Sequence, residues 1–331
     1  MAAFFHLLDS LRTDRTESCP VPEPKAPRIG IAFSSGGAKG LAHIGVIQVL
    51  EENGIPIAGI AGSSMGAYVG GLWASGKNGT ELEKLAAEMA SKRDLFGLVD
   101  PVFPPRRGFL RGHSIRERLE KTLRGRTFAE LDRPFLAVAT ELDTLERAVL
   151  REGDVASAIV ASLAVPGVVV PVTRDGVEYI DGGVCDPLPV TLARETWDLD
   201  VVIGVNVLPP IGSLRRRKAR PSKAKPWRKV LSAVNRHLNY FARGNLLDIL
   251  RGAAMGSQMR LVGRSARSAD VLISAISSGS GWHDYHNYRH YIEVGREAAL
   301  KALPEIKALL APAPAPATPK SNPNTEEASC V

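Results

Sequence analysis

Two stretches of this chain, Ile55 to Gly76 and Val155 to Thr173, contain no Asp, Glu, Lys, Arg or His. Uncharged runs of about the length that crosses a bilayer have to be buried, either in lipid or in protein. Pro56 and six glycines interrupt the first run, and Pro166 and Pro171 the second. Neither can hold an unbroken membrane helix, because proline removes a backbone donor and glycine a stabilising side chain. Both runs must therefore break into strand, turn and helix pieces within a protein core. The chain can build one: 331 residues, 44% of them hydrophobic, exclude a fibrous or wholly disordered polypeptide.

Short apolar runs alternate with helical periods from Arg28 onward. Ile29 to Phe33, Ile57 to Ala61, Phe135 to Thr140, Ala148 to Leu150, Val168 to Val172, Val177 to Ile180, Val201 to Val207 and Ala269 to Ser274 read as strands. Leu41 to Leu50 reads as a helix stopped by Asn53-Gly54, and Tyr285 to Leu303 as a closing helix. Ser114 with Glu117, and Thr127 with Glu130, have the spacing of capping boxes that open helices. This alternation predicts an α/β fold in which a mainly parallel central sheet is covered by helices on both faces.

Residues 1–27 separate from this body. Phe4, Leu7, Leu8 and Leu11 share one helical face, and a Pro-rich connector follows at Pro20, Pro22, Pro24 and Pro27. No basic start or small-residue cleavage site marks an export signal there. The domain is expected over 28–310, with an Ala/Pro-rich tail at 311–331 that cannot bury a core. The formal net charge is +7, and residues 211–234 alone hold nine Lys or Arg and no acid. That basic stretch, about 211–229, reads as an insertion, after which Val230 to Val262 returns to helical spacing. Three cysteines, Cys19, Cys185 and Cys330, support neither a disulfide framework nor a zinc site, and a reducing cytoplasmic setting is expected.

The chemistry concentrates in three small-residue turns. Gly62-Ser63-Ser64-Met65-Gly66 follows an expected strand and opens an expected helix, the setting of a nucleophile elbow as well as of any tight strand-to-helix turn. There Ser64 would sit exposed at a strained corner, with Gly62 and Gly66 as flanks that admit no side chain. Upstream, Ser35-Gly36-Gly37-Ala38-Lys39-Gly40 leaves backbone N–H groups free at a helix start, which suits an anion or a developing oxyanion. It matches no nucleotide-binding pattern, and Lys39 reads as a solvated side chain. Downstream, Asp181-Gly182-Gly183 places a carboxylate at a strand end, although such a triplet is often only a turn.

In combination, strand, G-G-x-K-G, helix, strand, G-x-S-x-G and a distant D-G-G resemble the patatin-like phospholipases, in particular the bacterial branch related to neuropathy target esterase. Ala161-Ser162-Leu163-Ala164-Val165-Pro166 and Ala269-Asp270-Val271-Leu272-Ile273 extend the resemblance, while Asp186 departs from the Asn expected after D-G-G. The resemblance implies a three-layer α/β/α hydrolase with Ser64 as nucleophile, Asp181 as base, and backbone N–H groups of Gly36, Gly37 and Ala38 as an oxyanion hole. It implies no cofactor and no metal. A histidine-containing triad is the rival arrangement, with His283, His286 or His290 as candidates, set among Trp282, Tyr285, Tyr288 and Tyr291. His43 reads as a packing residue near the site, and Cys185 as a buried thiol without a partner.

Phospholipids or lysophospholipids are the substrates the resemblance implies. A general carboxylesterase or acyltransferase, and a regulatory protein that uses the fold for binding, remain alternatives. The basic residues at 215–229, with Trp227, suit an anionic membrane surface better than nucleic acid, so peripheral association at the inner membrane face is expected.

Overall fold

The computed structural model describes residues 26–90, 100–212, 245–277 and 283–310. The Phe4–Leu11 helix, the basic run at 215–229, Trp282 and the Ala/Pro tail lie outside the described residues. By its internal contacts Pro27–Leu309 is one compact unit; a second unit, Met1–Ala26 with Leu310–Val331, holds almost none of the described residues.

Eight strands form one sheet: β1 (Ile29–Phe33), β2 (Gly59–Ser63), β3 (Phe135–Glu141), β4 (Arg147–Leu150), β5 (Val172–Arg174), β6 (Val177–Asp181), β7 (Val201–Asn206) and β8 (Val271–Ser274). Hydrogen-bonded neighbours run β5-β6-β3-β2-β1-β7-β8, with β4 also on β3. The block β3-β2-β1-β7-β8 is parallel, and β4, β5 and β6 join antiparallel. The sheet is thus mixed, with its antiparallel strands all on the β3 side, and β1, β2 and β7, buried on both faces, read as near-continuous apolar runs.

Among the described residues eight helices accompany it: α1 (Ala42–Glu52), α2 (Met65–Ala74), α3 (Gly79–Ala90), α4 (His113–Leu123), α5 (Val155–Ser162), α6 (Val190–Trp197), α7 (Leu246–Ser265) and α8 (Tyr288–Leu310). Ala32, Ala61, Leu136, Val138 and Val202 pack from one sheet face against Val190, Leu192 and Ala193 of α6 and Met259 and Val262 of α7. On the other face α2 approaches so closely that a Cβ at Gly70 or Gly71 would press on Phe33, Ile60 and Phe135. This gives the expected three layers.

Several local expectations are corrected. Val168 to Val172 is not a strand: Pro166-Gly167 turns the chain, Gly167 having φ +76°, and Pro171 has no donor for a ladder. The Val168 carbonyl instead accepts from Phe109 and Leu110, and the strand begins only at Val172. Ser114 does not cap α4. Gly112 is the N-cap, and Asp100 satisfies the orphan donors, accepting from Gly112 N at 3.0 Å and His113 N at 2.6 Å. The Thr127–Glu130 capping box does form, yet it opens only the 3-10 turn Phe128–Glu130, since Leu131 is already extended.

Candidate active site

The sheet register places the two expected chemical residues side by side. Val138 of β3 pairs with Ser63 and Val149, and Ala139 with Asp181 and Ala148. A strand has two edges; β4 occupies one, so β2 and β6 must succeed each other along the other. β2 ends at Ser63 where antiparallel β6 ends at Asp181, and the residues beyond these ends meet.

At the end of β2 the chain turns sharply into α2. Ser64 has φ +55°, a left-handed conformation that non-glycine residues rarely adopt, at a typical cost of about 1–3 kcal/mol. Close packing enforces this: a Cβ at Gly66 would overlap the Phe33 carbonyl, and one at Gly62 would overlap the Gly66 backbone. The turn is also held from outside, because Ser64 N–H donates to Ser162 Oγ at 2.8 Å and Ser162 Oγ donates to Val138 O at 2.6 Å. Ser162 is a site residue that sequence reasoning quoted in a motif and gave no role. Its signal was a hydroxyl at the end of an uncharged, fully buried helix, α5, where a buried polar group needs partners.

Ser64 Oγ donates to Asp181 Oδ2 at 2.5 Å, and Gly183 N–H donates to Asp181 Oδ1 at 2.7 Å. Thr140 Oγ1 fixes the Asp181 carbonyl at 3.0 Å, and Asp181 N–H is held by Ala164 O at 2.9 Å. Asp181 is 2% exposed, and this burial pushes its carboxyl up to about 6, against the pull of the Ser64 and Gly183 hydrogen bonds. A carboxylate so placed is a stronger base than in water and remains largely ionised at neutral pH.

The glycine loop lies on the opposite side of the Ser64 turn. Ser34 and Ser35 are tied down by N–H bonds to Val205 O and Pro187 O, after which Gly36 caps the 3-10 turn Gly37–Leu41. The N-cap and first two residues of such a turn have no acceptor within it for their N–H groups, which leaves those of Gly36, Gly37 and Ala38 available. Gly37 has φ +57°, and Gly40 is packed so tightly on Met65 that a Cβ there would overlap its side chain. The loop is thereby set against the first residue of α2.

Lys39 is not solvated. It is 5% exposed, and burial lowers the pKa of its ammonium group. His43 is fully buried with Nε2 on Ser34 O at 2.9 Å, and burial pulls its pKa down to about 4, so it packs as a neutral imidazole beside Phe33. Among the described residues no histidine hydrogen-bonds Ser64 or Asp181. His290 Nε2 instead pairs with Ser277 Oγ at 3.0 Å, and His286 lies 3.9 Å from Asp284. Burial raises the phenol pKa of Tyr285, and Tyr68 and Asp181 add to that rise. Cys185 does have a partner, since Thr140 Oγ1 contacts its sulfur at 3.1 Å. Asp186 receives Arg147 at 2.9 Å, so an ion pair anchors the Asp loop where an Asn was expected. From α7, Gln258 Nε2 packs against Gly183 at a spacing that a Cβ there would close to 2.8 Å.

A serine at a strained elbow, a buried carboxylate on it and a glycine loop beside it accord with the comparison to known families, in which the patatin-like phospholipase model matches residues 31–194. The chain belongs to the patatin-like phospholipase family. An uncharacterized NTE family protein of Mycobacterium tuberculosis is 37% identical over 229 residues, covering 67% of this chain and 61% of the relative. This patatin-like chain thus spans 61% of the length of that relative. The lysophospholipase NTE1 of Cryptococcus neoformans is 29% identical over 177 residues, 53% of this chain and 11% of the fungal protein. VipD from Legionella pneumophila shares the fold, with a TM-score of 0.50 and 14% identity over 85% of this chain and 67% of VipD. No described helix of the patatin-like chain is long and apolar enough to cross a membrane.

Proposed function

We propose that this chain is a serine acyl hydrolase that cleaves acyl esters of phospholipids or lysophospholipids through a Ser64–Asp181 dyad. The observation that carries the reading is the 2.5 Å hydrogen bond from Ser64 Oγ to an Asp181 carboxylate that burial has made more basic. The family and a lysophospholipase relative support the lipid substrate. Asp181 accepts the hydroxyl proton as Ser64 Oγ attacks the ester carbonyl carbon. Negative charge then gathers on the carbonyl oxygen, where the N–H groups of Gly36, Gly37 and Ala38 stabilise it. Collapse breaks the bond to the alcohol oxygen, which takes the proton back from Asp181 and leaves Ser64 acylated. Asp181 next removes a proton from water, the hydroxide attacks the acyl carbonyl, and the fatty acid departs as Ser64 Oγ regains its proton.

The basic run at 215–229, outside the described residues, supports recruitment to an anionic bilayer, each Lys or Arg near such a surface contributing about 1 kcal/mol. The site chemistry is tested by assaying a lysophospholipid and a soluble short-chain ester with Ser64→Ala and Ser63→Ala. Ser64→Ala should remove hydrolysis of both esters by several orders of magnitude while Ser63→Ala keeps most of it. Equal loss from both variants would mean that the turn matters only for structure.

A further inference from the structure

Two exposed apolar side chains on one rim of the sheet have no role in the fold. Phe103 is 94% exposed at the tip of a loop whose base is closed by Val102 N–H on Phe109 O at 2.9 Å and a bridge between Pro101 and Leu110. Leu145 is 62% exposed in the β3–β4 turn and has φ +59°, where a leucine is strained and a glycine is not. A sequence selected for stability alone would not keep a water-exposed leucine there.

The two tips are joined. Arg107, on the Phe103 loop, forks onto both carboxylate oxygens of Glu178 at 2.8 and 2.7 Å, and the Glu178 carbonyl accepts from Leu142 N–H at 2.8 Å, at the root of the Leu145 turn. Asp143, on that turn, adds to the field on Arg107. Because β2 and β3 are parallel, the carboxyl end of β3 that carries Leu145 is the end of the sheet at which Ser64 follows β2. Directly after the turn, Arg147 ties it to Asp186 in the loop that begins at Asp181.

We infer that Phe103 and Leu145 are prongs that insert into a zwitterionic phospholipid bilayer and hold the active-site rim against it. The choice of a lipid occupant rests on the hydrolase reading above, but the shape and charge of the rim favour it independently. A protein partner needs a continuous patch of about 800 Å² on each side. Here two separate apolar tips stand among charges of both signs: exposed Arg106, Asp143 and Glu146, and the Arg107–Glu178 and Arg147–Asp186 pairs. Such a border suits headgroups that themselves carry both signs, and the attraction comes from apolar insertion rather than from net charge.

Phosphatidylcholine vesicles, sedimented with the full chain at 0.1 and 1 M salt, provide the test. The unaltered chain should bind with little salt dependence, and Phe103→Ala should weaken partitioning by about tenfold or more, as expected for loss of one inserted aromatic side chain. Leu145→Gly should weaken it several-fold while holding or raising the melting temperature, since glycine relieves the positive φ. Leu300→Ala, an exposed leucine on α8, should change nothing. Hydrolysis of a soluble short-chain ester should persist in all three variants, and this separates failure of the rim from failure of the catalytic reading. No binding to phosphatidylcholine, binding that requires anionic lipid and vanishes at 1 M salt, or unchanged binding by Phe103→Ala and Leu145→Gly would each overturn the inference.

Discussion

Replacing Asp181 by Asn should abolish hydrolysis and at the same time stabilise the protein, by an amount that depends on pH. The carboxyl rises from its ordinary 3.8 to about 6 in the folded protein, chiefly through burial. Between these two values the unfolded chain has already ionised while the folded one still holds its proton. Stability from this group is therefore complete below about pH 4 and is lost as pH rises through about 6. At pH 8 the full difference applies, and at 1.36 kcal/mol per unit it destabilises the folded state by about 3 kcal/mol. At pH 4 the difference falls below about 1 kcal/mol. The Asn side chain keeps the shape, can accept from Gly183 N–H and carries no charge to bury. The variant should thus melt roughly 5–10 °C above the parent at pH 8, with the gap closing toward pH 4. Thermal denaturation of both proteins across pH 4–8 measures this directly. A variant less stable than the parent at pH 8, or a gap independent of pH, would refute the desolvation argument.

Three other outcomes follow from the same geometry. Ser162→Ala leaves Ser64 N–H without an acceptor, so it should destabilise the fold by about 1–3 kcal/mol and slow hydrolysis by about 10- to 100-fold, read by melting and initial rates. The kcat/KM profile for a soluble ester should rise with pH along an acid limb of apparent pKa about 6, the value burial gives Asp181. A limb near 4 would mean the base is solvated. His283→Ala, His286→Ala and His290→Ala should each retain activity within about tenfold, since none of these histidines reaches the dyad in the described structure.

Where a turn or strand is dictated by its own residues, the sequence was sufficient. β1 has the expected bounds, and Asp175 and Gly176, residue types that accept positive φ, both adopt it in the turn between β5 and β6. The Ser64 turn could be read because Gly62 is demanded by the Gly66 backbone within the strand-turn-helix unit itself, whereas Gly66 answers to the neighbouring strand β1, whose Phe33 carbonyl a Cβ there would overlap. The relation between Ser64 and Asp181 could not be derived locally, since it depends on β2 and β6 ending against adjacent residues of β3. That long-range register has no local signature, and only the family resemblance supplied the pairing. Lys39 was misjudged for a similar reason: a lysine in a polar-looking glycine loop is buried by elements far from it in sequence. Val168 to Val172 shows the reverse error, in which β-branched residues outweighed the prolines around them.

Covalent labelling tests the central claim most directly. A fluorophosphonate probe reacts with an activated serine, and mass mapping of the adduct identifies which one. The account predicts a single adduct, on Ser64, that is absent from Ser64→Ala and nearly absent from Asp181→Asn, whose amide cannot accept the hydroxyl proton. Labelling at another residue, or undiminished labelling in Asp181→Asn, would contradict it.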